Sequence, residues 1–366
     1  MKIEKIEAIP FRIPMARTEH FATGAILSLD HVLVRIHTDE GLIGQAEAPP
    51  RSMIYGESVA SVLHAVREWF APSLIGLHPA EIEKVFAVLD TVEQNPAAKA
   101  AIDIALHDIV GQIAGLPLYR LLGGWTNEVE LTYILGLGTP EEVAEQAQKV
   151  MEKYGIRTFK LKAGLEPDRD TAMLRAVRAS LGPSVRLYLD ANHAYPSLVA
   201  AKTMKRWEEY DVAWCEEPCP VWDRGGRALI ARSTTIPMMA DESCKTVPAV
   251  TAEIAYGHSR LISVKTGGTG YTLSNRIRVL CEAHGLVPVS GSQSDSDLGA
   301  VAAAHFNAAH RSLAQNPAEL TSYLDAAGGL LNETIAIRDG KFRLPDTPGV
   351  GVTIDEQKLA GYRLDR

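Results

Sequence analysis

Six charged residues lie at the ends of apolar segments, at nearly even intervals along the chain. They are Lys160, Lys162, Asp190, Glu216, Asp241 and Lys265. From Lys162 onward, successive positions are separated by about 24 to 28 residues, roughly the length of one strand, one helix and two loops. In a closed parallel barrel the strand ends converge on one mouth, so residues far apart in sequence meet there. The spacing therefore predicts a single active site built from successive strands.

The three acidic residues of this series, Asp190, Glu216 and Asp241, each follow four or five mainly apolar positions. A single acidic residue at a strand end commonly caps the next helix. Three carboxylates that converge without a compensating charge would be costly to bury, so their common register favours a bound cation. Carboxylate oxygens, with room for water and substrate oxygens, suit octahedral Mg²⁺ or Mn²⁺. We therefore predict a divalent metal ion at this site.

Lysines flank these acids on both sides. Lys160 and Lys162 are separated by Leu161 at the end of one expected strand, so period-two alternation directs both ammonium groups to one face. A solvated basic edge is the simpler interpretation of that pair. Inside a barrel, mutual repulsion would lower the pKa of at least one of them and make it usable as an acid or base. With Lys265 across the mouth, the set predicts proton transfer α to a carboxylate, through an enolate whose charge the cation neutralises.

The composition restricts the classes of partner. The chain has 366 residues, 46% of them hydrophobic, and a formal net charge of −8. It is longer than one ordinary core requires and has no excess of basic residues for a nucleic-acid backbone. Without an apolar run of about eighteen residues or an apolar N-terminal signal, we expect a cytoplasmic protein. The four cysteines show no paired spacing and are expected to be reduced thiols.

The N-terminal third of the chain predicts an α+β unit. Period-two alternation predicts three antiparallel strands, Ile3–Ile13, His31–His37 and Leu42–Ala48. From Ser58 to Gly115 the apolar spacing becomes helical. One helix is expected to begin at Asn95-Pro96 and to end at Gly115.

Beyond Gly123-Gly124 the pattern alternates between strands and amphipathic helices, which predicts a parallel sheet. Eight strands are expected: Val129–Leu135, Thr158–Lys162, Val185–Asp190, Val212–Glu216, Met238–Asp241, Leu261–Lys265, Leu286–Ser290 and one near Glu319–Leu324. The helices expected between them include Glu141–Tyr154, Arg169–Leu181 and Ser197–Tyr210. The C-terminal tail has a further strand-like run and a turn, and is expected to pack back onto the N-terminal unit.

The motifs around these residues resemble the enolase superfamily, and within it the muconate lactonizing (muconate cycloisomerase) subgroup. They are Thr158-Phe-Lys-Leu-Lys162, Asp190-Ala-Asn192, Glu216-Glu-Pro218, Ala240-Asp-Glu-Ser243 and Ser263-Val-Lys-Thr-Gly-Gly268. The resemblance covers the whole chain and implies an α/β fold, a modified TIM barrel (β/α)7β with an N-terminal α+β capping domain completed by the C-terminal tail. The implied boundaries are 1–125 for the capping domain, 126–325 for the barrel and 326–366 for the returning segment.

The resemblance also implies roles for individual residues. Asp190, Glu216 and Asp241 would bind the metal, one Mg²⁺ or Mn²⁺ per subunit, and Lys162 and Lys265 would be the catalytic acid and base. The residues that would bind substrate or support the site are Lys160, Asn192, Glu242, Asp295, Glu319, Ile54 and Tyr55. The implied partners are a small dicarboxylate substrate and further copies of the chain in a homo-oligomer, often an octamer, with neither nucleic acid nor membrane.

Substrate choice within the subgroup depends on loops and on the eighth strand. Loops around His20-Phe-Ala-Thr-Gly24 and Met53-Ile-Tyr55 would close over the barrel and select the substrate. Dipeptide epimerases of the subgroup usually have an Asp-x-Asp pair at the eighth strand, where this chain has Glu319-Leu320-Thr321. That difference disfavours a substrate that bears an ammonium group.

The expected reaction is therefore the conversion of cis,cis-muconate, or a chloro- or methyl-substituted muconate, to muconolactone in catechol degradation. Other reactions on the same scaffold are o-succinylbenzoate synthesis, racemisation of an N-acyl amino acid, epimerisation of a dipeptide and dehydration of a hydroxy acid. A metal-binding barrel without catalytic activity is the alternative of a different class.

Overall fold

The N-terminal sheet reaches from the capping domain to the mouth of the barrel. The computed structural model describes residues 1–22 and 24–365. Its first three strands are β1 (Ile3–Phe21), β2 (Gly24–Thr38) and β3 (Ile43–Ala48). They pair antiparallel in the order β1-β2-β3, which confirms the predicted three strands. β1 and β2 are longer than the alternating segments indicate, and Thr23 of the predicted capping loop lies outside the described residues.

Helices pack against this sheet and tie it to the rest of the chain. They are α1 (Ser52–Tyr55), α2 (Val59–His64), a π-helical turn (Ala65–Phe70), α3 (Ala71–Leu74), α4 (Ile82–Leu89), α5 (Pro96–Ala114) and α6 (Leu118–Leu122). α5 begins and ends where predicted. Its buried Asp103 accepts hydrogen bonds from the backbone nitrogens of Tyr271 and Thr272 at 2.6 and 2.9 Å, and its buried Asp108 accepts one from Val350 at 2.8 Å. These two carboxylates therefore connect α5 to the barrel and to the tail.

Seven parallel strands form the barrel sheet. After the short β4 (Glu128–Glu130) come β5 (Thr132–Leu135), β6 (Thr158–Lys162), β7 (Arg186–Asp190), β8 (Val212–Glu216), β9 (Met238–Ala240), β10 (Leu261–Val264) and β11 (Val287–Ser290). Each pairs with the next in chain order from β5 to β11. Lys162 is opposite Asp190, and Asp190 is opposite Glu216. The register thus places these three functional groups side by side on adjacent strands.

Two of the predicted strands differ from the structure. The segment predicted as one strand, Val129–Leu135, is divided at Leu131, because β4 pairs antiparallel with β13 (Lys341–Arg343) of the tail instead of joining the barrel.

The predicted eighth strand near Glu319–Leu324 is also wrong as a strand. Ala318 donates its backbone N–H to Glu130 at 2.8 Å, and Glu319 donates its own to Ser290 at 3.0 Å. These bonds close the barrel, but Pro317 has no N–H to extend a ladder, and residues Ser322–Asp325 form a 3₁₀ turn.

Helices alternate with the barrel strands as predicted. They are α7 (Pro140–Tyr154), α8 (Pro167–Leu181), α9 (Ser197–Trp207), α10 (Arg224–Ser233), α11 (Val247–Tyr256), α12 (Thr266–Ala283), α13 (Asp297–Ala309) and α14 (Arg311–Ala314). Short 3₁₀ turns follow α9 at Glu208–Tyr210 and β9 at Glu242–Cys244. The tail contributes β12 (Ile337–Arg338), β13 and α15 (Glu356–Tyr362), and Arg363 bridges to Phe11 of β1. Among the described residues, none of the helices is both long and apolar enough to cross a membrane.

Period-two alternation divides the strand residues between two cores. A cluster inside the barrel consists of Tyr188, Trp214, Met239, Leu261 and Val289. Neighbouring strand positions such as Cys215 and Leu189 belong to the larger core between the sheet and the helices. All four cysteines are buried free thiols. The interior cluster fills the barrel below the strand ends, so the charged groups can only occupy its mouth.

A buried ion-pair network fixes the loop after β9. The Arg227 guanidinium is fully buried and donates to Glu217 at 2.7 Å and to Glu253 at 3.0 Å. Glu217 in turn accepts hydrogen bonds from the backbone nitrogens of Asp241 and Ser243 at 2.8 and 2.9 Å. Arg227 therefore compensates the charge of the carboxylate that positions the backbone of Asp241.

We predict that Arg227→Met lowers the free energy of unfolding by about 3 to 5 kcal/mol, because Glu217 and Glu253 would remain buried without their cation. Chemical denaturation followed by circular dichroism measures this change. The control is Arg206→Met, which removes an exposed pair with Asp168 and should cost about 1 kcal/mol or less. Equal, small changes for both variants would contradict the role given to Arg227.

Glu57 caps the long helix α5 from a separate loop. The helix begins after Asn95, whose side chain makes no capping hydrogen bond. The buried Glu57 carboxylate instead accepts the backbone N–H of Ala97 at 3.1 Å. Burial raises the pKa of Glu57 to about 7, although the helix N–H groups oppose this shift. The cap therefore binds a proton more tightly in the folded protein than in the unfolded chain.

A raised carboxyl pKa makes the protein less stable as pH rises from about 4.5 to 7, because only the unfolded chain releases the proton easily in that range. Glu57→Gln removes this penalty. Relative to the wild type, the variant should therefore gain on the order of 2 kcal/mol in unfolding free energy between about pH 5 and pH 8. Urea denaturation at the two pH values measures the gain. If the difference in unfolding free energy between the variant and the wild type is the same at both pH values, Glu57 is not buried as described. Glu145→Gln, at an exposed position of α7, is the control.

Candidate active site

A small cavity of about 120 Å³ lies between the strand ends of the barrel and the loops of the capping domain. The capping domain contributes Glu19, Phe21, Arg51, Met53 and Ile54 to its wall. The barrel contributes Ile134, Lys160, Lys162, Asp190, Asn192, His193, Asp241, Glu242, Lys265, Ser292, Ser294 and Glu319. Its volume is below that of ordinary drug-sized pockets, so it suits a compact ligand.

Most of the predicted site residues line this cavity, and three do not. Glu216 is fully buried beneath Lys160. Tyr55 lies outside the cavity. Its hydroxyl accepts a hydrogen bond from Gln293 and occupies the space that a side chain at position 268 would need, so Gly268 makes room for it. Asp295, predicted to bind substrate or to support the site, accepts the backbone N–H of Gln293 at 3.1 Å. Tyr55 and Asp295 therefore shape the loop after β11 from outside the cavity.

Lys160 is the centre of a buried charge cluster. Its ammonium nitrogen is 3.0 Å from Asp190, 2.7 Å from Glu216 and 3.0 Å from Glu319. Burial by itself would lower the pKa of Lys160, but these carboxylates raise it well above its usual value. Glu319 also accepts the Tyr188 hydroxyl at 2.6 Å. Lys160 is therefore not a lysine whose pKa falls through repulsion, because attraction to three acids outweighs repulsion by another lysine.

Lys162 lies on one wall of the cavity. It donates to Asp190 at 2.8 Å and to the Asn192 side chain at 3.2 Å, and its ammonium is 5.5 Å from the centre of the Phe21 ring. Asn192 has φ of 42° and His193 has φ of 53°, so the chain turns sharply after β7. The Asn192 amide donates in addition to Glu242 at 3.1 Å. This turn brings Asn192 to the cavity, where it meets Glu242 from the 3₁₀ turn after β9.

Lys265 lies on a different part of the wall and contacts Asp241. The pKa of Lys265 is raised, since Asp241 and Glu216 outweigh the effect of burial. Burial and the neighbouring Asp241 raise the pKa of Glu242 to about 8. Gly291 leaves room for the Lys265 side chain, because a Cβ there would lie 2.8 Å from its Cε. Two lysines thus face one cavity from separate strands.

The donor set fits a divalent cation. Within residues 1–22 and 24–365, no group of three or more acidic, histidine or cysteine side chains is already arranged to bind a metal ion. The carboxylates of Glu216 and Asp241 contact lysines instead. However, Glu216 accepts no hydrogen bond at either buried carboxylate oxygen, and only Oε2 has the Lys160 ammonium nearby, at 2.7 Å. Burial together with Asp190 raises the pKa of Glu216. Asp190 and Glu216 are also both in reach of one cationic atom, Lys160 Nζ. These two acids, with Asp241 on the next strand, could hold Mg²⁺ or Mn²⁺.

Sequence reasoning missed several residues of the cavity wall. Glu19 and Arg51 come from the capping domain, and Ser292 and Ser294 come from the loop after β11. Glu19 accepts the Ser294 hydroxyl at 3.1 Å, which links the two domains at the cavity edge. For Arg51 the sequence signal is a charged residue directly after Pro49-Pro50. Hydrophobic periodicity does not detect such a position.

Comparison with known proteins agrees with this arrangement. Residues 142–358 match the family model "Enolase C-terminal domain-like", and residues 5–123 match "Mandelate racemase / muconate lactonizing enzyme, N-terminal domain". A crystal structure of a muconate lactonizing enzyme from Mycobacterium smegmatis, complexed with muconolactone, superposes with a TM-score of 0.98 at 38% identity and covers 100% of both chains.

Two further matches are to dipeptide epimerases from Enterococcus faecalis, one by sequence and one by structure. A hydrophobic dipeptide epimerase is 34% identical over 361 residues, which is 96% of this chain and 100% of the relative. A crystal structure of the dipeptide epimerase complexed with Mg and the dipeptide L-Leu-L-Tyr has a TM-score of 0.92 at 32% identity, covering 96% of this chain and 100% of that one. With both domains matched and the modified TIM barrel in place, the chain belongs to the enolase superfamily.

Proposed function

We propose that this protein is a cycloisomerase that converts cis,cis-muconate, or a chloro- or methyl-substituted muconate, into muconolactone. The observation that carries the proposal is the cavity itself, which is small and has four cationic side chains and an apolar wall beside its five carboxylates. The cations are Lys160, Lys162, Lys265 and Arg51, and the apolar wall is formed by Phe21, Met53, Ile54 and Ile134. A hydrocarbon chain between two carboxylates complements both properties. The likeness to the muconolactone complex supports the same substrate.

The residues at the barrel closure support an anionic substrate over an ammonium-bearing one. Glu319 stands where dipeptide epimerases have the first acid of their pair, and it is already bound to Lys160 and Tyr188. Thr321 donates its hydroxyl to the Thr132 carbonyl at 2.9 Å. Asp325, slightly further along, is bound by Arg17 at 2.7 Å. These side chains already have partners within the protein and are therefore not free to bind a substrate ammonium group.

In the proposed reaction, one substrate carboxylate adds to the conjugated double bond and forms the lactone ring. The electron pair displaced from that bond becomes an enolate next to the other carboxylate. A divalent cation held by Asp190, Glu216 and Asp241 would supply positive charge that stabilises this enolate. The Lys265 ammonium then donates its proton to the α-carbon, which completes the lactone, and Lys162 faces the same region from the other wall. Lys160 keeps the carboxylates in place through its three ion pairs.

A second candidate, racemisation or epimerisation of an acylated amino acid, is favoured by one observation. Two lysines on separate strands can remove a proton from one face of an α-carbon and return it to the other. The similarity to the Enterococcus faecalis dipeptide epimerase is consistent with this chemistry. Both candidates use the same lysines, so they differ in substrate and not in machinery.

A substrate panel tests the proposal. With Mg²⁺ or Mn²⁺ present, we expect turnover of cis,cis-muconate, measured as loss of its conjugated-diene absorbance, to exceed turnover of N-acyl amino acids, dipeptides and the o-succinylbenzoate precursor. Chelation of the metal should abolish the reaction, and added metal should restore it. Faster conversion of an amino acid derivative would favour the second candidate. Absence of turnover with every compound would indicate a binding protein.

We predict that Lys265→Ala lowers muconate turnover by about 10²- to 10⁴-fold, the usual contribution of general acid catalysis, while the circular dichroism spectrum is unchanged. Incubation of muconolactone in deuterated water separates the roles of the lysines. The wild type should exchange the α-proton, and the variant of the donating lysine should not. Loss of exchange in Lys162→Ala alone would assign the donor to Lys162. Lys149→Ala, at an exposed position, is the control.

A further inference from the structure

Arg51 is the one arginine on the wall of the active-site cavity. It follows Pro49-Pro50 and directly precedes α1, at the point where the capping domain meets the barrel mouth. The same side chain lines a second, outer cavity of about 290 Å³, together with Phe21 and Met53. Arg51 therefore lines both the active-site cavity and the outer one.

The donors of Arg51 are unused within the part of the chain that the structure describes. No hydrogen bond, and no ion pair within 4.0 Å, joins its guanidinium to another described residue. Other partly or fully buried arginines differ in this respect. Arg17 binds Asp325 at 2.7 Å, and Arg227 binds Glu217 at 2.7 Å. Arg51 is partly buried on the cavity wall, and its guanidinium donors are free to bind an acceptor that a ligand supplies.

The other cations of the cavity are already engaged. Lys160 and Lys162 contact Asp190, and Lys265 contacts Asp241. The charges of Glu19 and Asp295 act on Arg51, but neither carboxylate forms an ion pair with it within 4.0 Å. Because arginine remains protonated, it keeps a full positive charge and a planar set of donors directed at the cavity edge. A carboxylate is the ligand group whose two oxygens match that fork.

We propose that Arg51 binds the second carboxylate of the substrate, the one remote from the proton-transfer centre, and so selects dicarboxylates over monocarboxylates. This inference rests on the proposed function, because it assigns the two ends of the same substrate. The lysines and the acids between them hold the carboxylate next to the α-carbon that is protonated, whereas the carboxylate bound by Arg51 is the one that adds to the double bond. Arg51 holds the other end at the cavity edge, and the apolar side chains of Phe21 and Met53 flank the hydrocarbon between them.

The test compares muconate with 2,4-hexadienoate, which replaces one carboxylate of the same diene with a methyl group. In the metal-loaded wild type, muconate should bind more tightly than hexadienoate by isothermal titration calorimetry. Arg51→Gln should weaken muconate binding by roughly 10- to 100-fold and leave hexadienoate binding almost unchanged. Arg51→Lys, which keeps the charge but loses the fork, should give an intermediate result. Arg12→Gln, which alters an exposed pair with Asp30 on the same sheet, should behave as the wild type.

The outcomes separate this inference from the proposed function. If the wild type binds muconate preferentially but does not convert it, and Arg51→Gln removes the preference, Arg51 is confirmed as a carboxylate site and the proposed reaction fails. If the wild type converts muconate and Arg51→Gln keeps the original preference, the role of Arg51 is overturned. Equal weakening of both ligands would also overturn it, since that indicates a structural role. Should Arg51→Gln fail to fold, loss of preference in Arg51→Lys decides the question.

Discussion

The structure depends on the compensation of charges that are buried together at the ends of parallel strands. Lys160 of β6 reaches Asp190 of β7 and Glu216 of β8 at the strand ends. Each would be costly to bury alone, and Lys160 is within 3.0 Å of both acids. The rest of the barrel supports this cluster. Its interior is filled by large side chains, which confine the charges to the mouth.

A second layer of buried charges holds the first in place. Glu217 points away from the cavity, pairs with Arg227 and fixes the backbone at Asp241. Glu47 performs a similar task for the loop after β11, because it accepts the backbone N–H of Ser296 at 2.9 Å. Side chains outside the cavity therefore determine where the groups inside it stand. The same logic explains why single glycines matter, since a Cβ at Gly299 would lie 2.0 Å from Glu47.

The capping domain completes the cavity through a few contacts at its edge. The hairpin of β1 and β2 supplies Glu19 and Phe21, and the segment before α1 supplies Arg51. Glu57 then connects that segment to α5, and Asp103 connects α5 to the barrel. In the proposed function, chemistry and selection are divided between two parts of one chain: the barrel carries the groups for proton transfer, and the capping domain carries those that meet the remote end of the ligand.

The sequence by itself determined the local features of this protein. Alternation and spacing located β6 to β10, the long helix α5 and the charged residues at the strand ends, because each depends on neighbours a few positions away. Only the tertiary structure decided three other features. β4 stops before Leu131 because it pairs with the tail, Ala318 and Glu319 bond to Glu130 and Ser290 in place of a full eighth strand, and Lys160 has a raised pKa because three distant acids surround it. Each is set by partners far apart in sequence, and periodicity along one segment contains no information about them.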